Sequence, residues 1–142
     1  RMGGATAILA AAQDERIRAV VDDCGFSDAP RVIAASFEHF IHLPAFPFAP
    51  VTVWIASERA GINVNGVRPM DIIGRISPRP VLIIHGLADF IVPVDNSQRN
   101  FAAARQPKEL WLVPGAGHGQ AHATDKAEYE TKVVNFFQAA LQ

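Results

Sequence analysis

Residues 80–86 read Pro-Val-Leu-Ile-Ile-His-Gly, four aliphatic side chains in a row with a glycine stop. A strand with one face in water alternates apolar and polar residues, so an unbroken run needs cover on both faces. Such cover exists in a parallel sheet sandwiched between helices. The neighbouring sequence fits that demand: Met70 to Ile76 has the spacing of a short helix, and Ser77-Pro78-Arg79-Pro80 ends it.

Two other runs read as strands, Ile17 to Val21 and Leu110 to Val113, the latter opening near Glu109. Between them the pattern is helical: an Ala-rich run over 5–12, a segment from Asp28 to about Phe40, one from Ser97 to Arg105, and a closing amphipathic one from Asp125 to Leu141. Ser27 or Asp28 can cap the second, with Pro30 in its first turn. Along the last, Tyr129, Val133, Val134 and Phe137 are expected on one face. Strand and helix alternate, so the expected class is α/β: a parallel sheet with flanking helices. Right-handed crossovers make the three strands neighbours in chain order.

The stretch 41–66 departs from this rhythm. Pro44, Pro47 and Pro50 stand among Phe46, Phe48, Val51, Val53 and Trp54, too proline-broken for a central strand and too apolar for a free linker. It is expected to be an irregular or partly helical lid. Phe46, Phe48 and Trp54 are candidates for an acyl or aromatic pocket; packing as plain core is the competing reading.

Composition bounds the function. The chain has 142 residues, 49% of them hydrophobic, and a formal charge of -1, which suits one globular domain and leaves no basic stripe for nucleic acid. No apolar run reaches the length of a membrane span. Cys24 is the sole cysteine, so an internal disulfide is excluded and a reducing, cytoplasmic compartment is favoured. No cofactor motif stands out.

The loops after the second and third strands carry the chemistry-bearing residues, where open α/β sheets place their sites. They are Gly86-Leu87-Ala88-Asp89-Phe90-Ile91-Val92-Pro93 and Pro114-Gly115-Ala116-Gly117-His118-Gly119. Asp89 and His118 could meet as the orienting pair of a nucleophilic triad, the carboxylate fixing the imidazole tautomer. Either residue alone has a bland reading as a turn aspartate or a surface histidine. Cys24, after a strand and before a helix, is a candidate thiol nucleophile, although two adjacent carboxylates would raise its pKa. His118 and His122 have the H-x3-H spacing of metal ligands with Asp89 as a third, but a glycine-rich loop does not hold two histidines on one rigid face, so no metal is expected. His85, at a strand end, is expected to be packed or bonded to backbone. His39 and His42 flank a helix end and need no further role.

The motifs Ile84-His85-Gly86-Leu87-Ala88-Asp89-Phe90-Ile91-Val92-Pro93 and Gly115-Ala116-Gly117-His118 resemble the acid and histidine motifs of the α/β-hydrolase superfamily, its serine aminopeptidase and acyl-esterase-like branches above all. Met2-Gly3-Gly4-Ala5 resembles the downstream half of that family's nucleophile elbow, G-x-S-M-G-G. The resemblance implies Asp89 as triad acid, His118 as general base and the Met2 backbone N–H as an oxyanion donor. It further implies an ester or amide (acyl) bond in a small molecule or short peptide as substrate. Gly3, two after the nucleophile, would be small because the elbow helix packs tightly on a strand.

The same alignment puts the nucleophile at Arg1, and a guanidinium stays protonated and cannot attack a carbonyl. The expectation is therefore the C-terminal half of an α/β hydrolase with a short lid insertion, inactive by itself and prone to self-association along the edge of the 17–21 strand. The alternative is a non-catalytic binding module that has lost its nucleophile and uses the apolar lid.

Overall fold

A computed structural model describes residues 2–142. Arg1, where the elbow resemblance puts the nucleophile, lies outside the described residues. The chain forms two compact units, one from the residues up to Ser27 together with Pro69–Gln142, the other Asp28–Arg68.

The first unit contains the sheet. Strands β1 (Val20–Asp23), β2 (Val81–Gly86) and β3 (Lys108–Val113) are parallel and adjacent in chain order. Every residue of β2 is buried. Its side chains alternate between two cores, which is what the aliphatic run requires. Val81 and Ile83 join Ile8 and Ala11 of helix α1 (Met2–Ala11), with Val20, Ile73, Ile76 and Ala104. On the other face Leu82 and Ile84 join Val113, Ala116, Ala121 and Phe136. The flanking elements are α4 (Pro69–Ile72) with a 3-10 turn (Ile73–Ile76), α5 (Asp95–Ala103), α6 (Ala121–Thr124) and α7 (Lys126–Ala140).

Strand β1 begins later than expected, at Val20 rather than Ile17. Arg79 Nη1 donates to the carbonyls of Asp14 (3.0 Å) and Ile17 (2.8 Å), so this stretch bonds to a side chain instead of a ladder. The acidic pair just past the expected end of the strand at Val21 belongs to it and pairs in register: Asp22 with Ile83 and Asp23 with Ile84. Buried Asn100 and half-buried Tyr129 accommodate it, Asn100 Nδ2 donating to Asp22 (3.4 Å) and the Tyr129 hydroxyl to Asp23 (3.1 Å). On α7, Tyr129, Val133 and Phe137 pack on the core as expected, but Val134 is exposed and Phe136 takes the buried place. Helical geometry puts 133, 136 and 137 on one face and turns 134 away.

The second unit is helical. Asp28 caps α2 (Ala29–Ser36) by accepting from the Arg31 N–H at 2.9 Å, with Pro30 in the first turn. A π-helical turn (Phe37–Ile41) follows and stops at His42, whose φ of 56° is left-handed. The proline-broken stretch is then a helix, α3 (Ala45–Ala60), ending at Gly61 with φ of 64°. Phe46 has non-helical angles, so the regular helix starts beyond it, with Pro47 at its first position and Pro50 inside the helix. At Pro47 a missing N–H costs nothing, because first-turn donors have no intrahelical acceptor.

Candidate active site

The ends of β2 and β3 are fastened together. Backbone N–H groups of Leu87 and Ala88 donate to the carbonyls of Val113 (3.0 Å) and Ala116 (2.9 Å), which clips the acid loop to the histidine loop. Gly86 lies so close to the Ala116 carbonyl that a Cβ there would overlap it. The loop carrying His118 turns through Gly115 and Gly119, both at positive φ.

This clip brings Asp89 and His118 together across 29 residues of sequence: His118 Nδ1 stands 2.7 Å from Asp89 Oδ2. A carboxylate only accepts, so Nδ1 carries the proton and Nε2 is left bare. Asp89 is held by its other oxygen as well, which accepts from the Ile91 and Val92 N–H groups at 2.9 Å each. Its side chain is fully buried, whereas that of His118 is 21% exposed. A buried, anchored acid and a partly open imidazole with a free Nε2 lone pair are the parts a general base needs.

His85 has more to do than expected. Its Nε2 is 2.8 Å from the Val92 carbonyl and 3.3 Å from Asp89 Oδ2. The carbonyl fixes the proton on Nε2, so both contacts receive the same N–H. Val92 thus gives its N–H to Asp89 and takes the N–H of His85, closing a ring around the carboxylate. Burial pushes the His85 pKa down and keeps it neutral. The only sequence cue was the four-residue interval from His85 to Asp89, which has no meaning until the loop folds back.

Cys24 lies nearer this pair than its sequence context suggests. It follows β1 in a left-handed conformation, φ 55°, with its N–H on the Ile84 carbonyl (2.9 Å) and its Sγ accepting from the Gly119 N–H (3.4 Å). Burial pushes the thiol up to about 11, which leaves little thiolate at neutral pH and weakens its candidacy as nucleophile. The H-x3-H pair does not assemble: His122, on α6, has Nε2 3.2 Å from Glu130 Oε1.

The remaining candidates are dispersed. Met2 opens α1 with 79% of its surface exposed, and its N–H is among the first-turn donors a helix leaves unpaired. In the helical unit, Phe46 lines an apolar cavity of about 350 Å³ with Pro30, Ala34, Ala49 and Val53. Trp54 lines a separate groove, and Phe48 stacks on Phe37 at 6.2 Å, so the three aromatics do not form one pocket. The tight glycine of α1 is Gly4, not Gly3: a Cβ on Gly3 would meet open space, one on Gly4 would overlap Asp22 Oδ1.

Several known proteins resemble the chain. Bacillus subtilis YqkD is 27% identical over 137 residues, covering 95% of the chain and 45% of the relative. Salmonella typhi YfhR is 40% identical over 70 residues, 49% of the chain and 24% of the relative. The chain therefore spans less than half the length of these curated relatives. Among solved structures, the Pyrococcus furiosus esterase Pf2001 superimposes with a TM-score of 0.72 at 19% identity, over 99% of the chain and 51% of the esterase. The Pyrococcus horikoshii acylaminoacyl peptidase gives 0.75 at 17% identity, over 98% of the chain and 22% of the peptidase. The parallel sheet with its flanking helices is thus the C-terminal portion of an α/β-hydrolase fold. The family model of the prolyl oligopeptidases matches residues 2–142, and the chain belongs to that family of α/β hydrolases.

Proposed function

We propose that this chain carries the acid and the general base of a nucleophilic acyl hydrolase, Asp89 orienting His118 for attack on an ester or amide bond in a small molecule or short peptide. The observation that carries the reading is the 2.7 Å contact between His118 Nδ1 and Asp89 Oδ2, made from loops after adjacent parallel strands. Nε2 then takes the proton of the attacking group and returns it to the leaving group, while the carboxylate balances the imidazolium. Family membership supports the hydrolase class, and the esterase and peptidase likenesses support acyl transfer. In this reading the Met2 N–H, at the start of α1, faces the developing oxyanion. The apolar stretch 41–66 keeps its reading as a lid, with Phe46 as a contact for the acyl group.

The test puts a serine where the elbow resemblance places the nucleophile. Arg1→Ser should gain hydrolysis of p-nitrophenyl acetate over the unaltered chain. Adding Asp89→Asn should lower that rate by about 10⁴, the handicap of a wrongly held tautomer in serine proteases. Hydrolysis that survives His118→Ala would overturn the assignment. Folded Arg1→Ser protein with no hydrolysis but measurable binding of an apolar ligand would favour the non-catalytic module.

A further inference from the structure

Cys24 Sγ, a carboxylate oxygen of Asp89 and a ring nitrogen of His118 all lie within 4.8 Å of one another, the only such group of three among the described residues. We propose that these side chains form a binding site for a thiophilic divalent cation of the zinc type. Thiolate, imidazole and carboxylate are the donors zinc and cobalt(II) share in four-coordinate sites. Bonds of about 2.3 Å to sulfur and 2.0–2.2 Å to nitrogen and oxygen separate tetrahedral ligand atoms by roughly 3.3–3.7 Å. Against that spacing His118 Nδ1 and Asp89 Oδ2, 2.7 Å apart across their hydrogen bond, have to part by roughly 0.6 Å or more, while the distances to Cys24 Sγ close by no more than roughly 1.5 Å.

Two donors are fixed and the third can adjust. Asp89 is pinned through Oδ1 by two backbone N–H groups, so Oδ2 is the oxygen presented. Cys24 is fixed by its backbone bond to Ile84. His118 stands on a glycine-flanked loop with 21% of its side chain exposed, which supplies the path for the ion and the opening for water as fourth ligand. Charge balances: one thiolate and one carboxylate neutralise a dication, so the loaded site is uncharged where neither anion is solvated. Binding releases one proton, that of the thiol. The imidazole stays neutral throughout, because ligation through Nδ1 moves its proton to Nε2. A bound cation would occupy the contact between His118 and Asp89 and hold the base idle. That regulatory consequence rests on the hydrolase reading; the binding itself does not.

The experiment is a Co²⁺ titration of the full chain under reducing conditions, followed by absorption. The expected result is a thiolate-to-cobalt charge-transfer band in the near ultraviolet with the strong visible bands of tetrahedral cobalt, both abolished by added Zn²⁺. Cys24→Ser should lose the charge-transfer band, His118→Asn should weaken binding more than about 10-fold, and His122→Ala should change neither. No charge-transfer band in the unaltered chain, a band surviving Cys24→Ser, or an affinity unchanged in His118→Asn would each overturn the site. If Cys24→Ser does not fold, as judged by circular dichroism, His118→Asn at a partly exposed loop position still decides. No substrate enters the measurement, so its failure leaves the hydrolase reading standing and the failure of that reading leaves the cation site standing.

Discussion

Gly4 of α1 lies directly against Asp22 of β1: a Cβ on Gly4 would overlap Asp22 Oδ1 and come within 3.3 Å of the Gly25 Cα. Asp22 is fully buried, and turning its carboxyl aside would disturb the bond that Oδ2 accepts from Asn100. Gly4→Ala should therefore cost about 1–3 kcal/mol as an overpacked contact. Gly3→Ala, with open space around it, should stabilise by up to about 1 kcal/mol through helix propensity. Urea unfolding midpoints of the two variants should move in opposite directions; equal shifts would mean both glycines serve only the helix.

Asp22 also gives stability a pH dependence of known sign. Burial raises its carboxyl to about 6 in the folded state, against 3.8 ordinarily. Between those values the folded chain holds a proton that the unfolded chain has lost, so stability contributed at low pH is lost as pH rises through about 6. Roughly two pKa units amount to about 3 kcal/mol. Asp22→Asn should be more stable than the unaltered chain at pH 8 and close to it at pH 4. Parallel stability curves from pH 4 to pH 8 would contradict the buried, proton-holding carboxyl.

The His85 ring nitrogen shared by Val92 and Asp89 makes a spectroscopic prediction. The His118 Nδ1 proton, bonded to a buried carboxylate, should give a far-downfield resonance in proton spectra. His85→Gln keeps an N–H donor and should retain that resonance. His85→Phe removes the donor, frees one side of Asp89, and should broaden or lose it while the fold, read from amide dispersion, persists. Retention in both variants would make His85 a packing residue only.

Among the described residues β1 pairs on one side alone, with β2. Its other backbone edge is a template for a second chain. Sedimentation velocity should give a mass that rises with concentration, and a mass independent of concentration would indicate that the edge is covered.

The sequence by itself determined the layer architecture. The aliphatic run at 81–84 satisfies only a strand covered on both faces, and the Ala-rich run over 5–12 and the spacing of Tyr129, Val133 and Phe137 provide covering helices. It also located Asp89 and His118, because loops at the carboxyl ends of parallel strands must share one rim. The tertiary structure alone decided what depends on approach between residues distant in sequence. His85 reaches Asp89 only because the loop folds back through Val92, and Cys24 reaches the pair only because β1 ends beside β2. The prolines of 41–66 exclude a central strand, but that they stand in a 16-residue helix shows only once the turn at Phe46 places Pro47 where no N–H is required. The acidic pair Asp22-Asp23 reads as lying past the strand end at Val21 until Asn100 and Tyr129 supply its partners. Periodicity reports which face of an element is buried; it carries no record of which polar groups meet inside, since those bonds close only after the elements have packed.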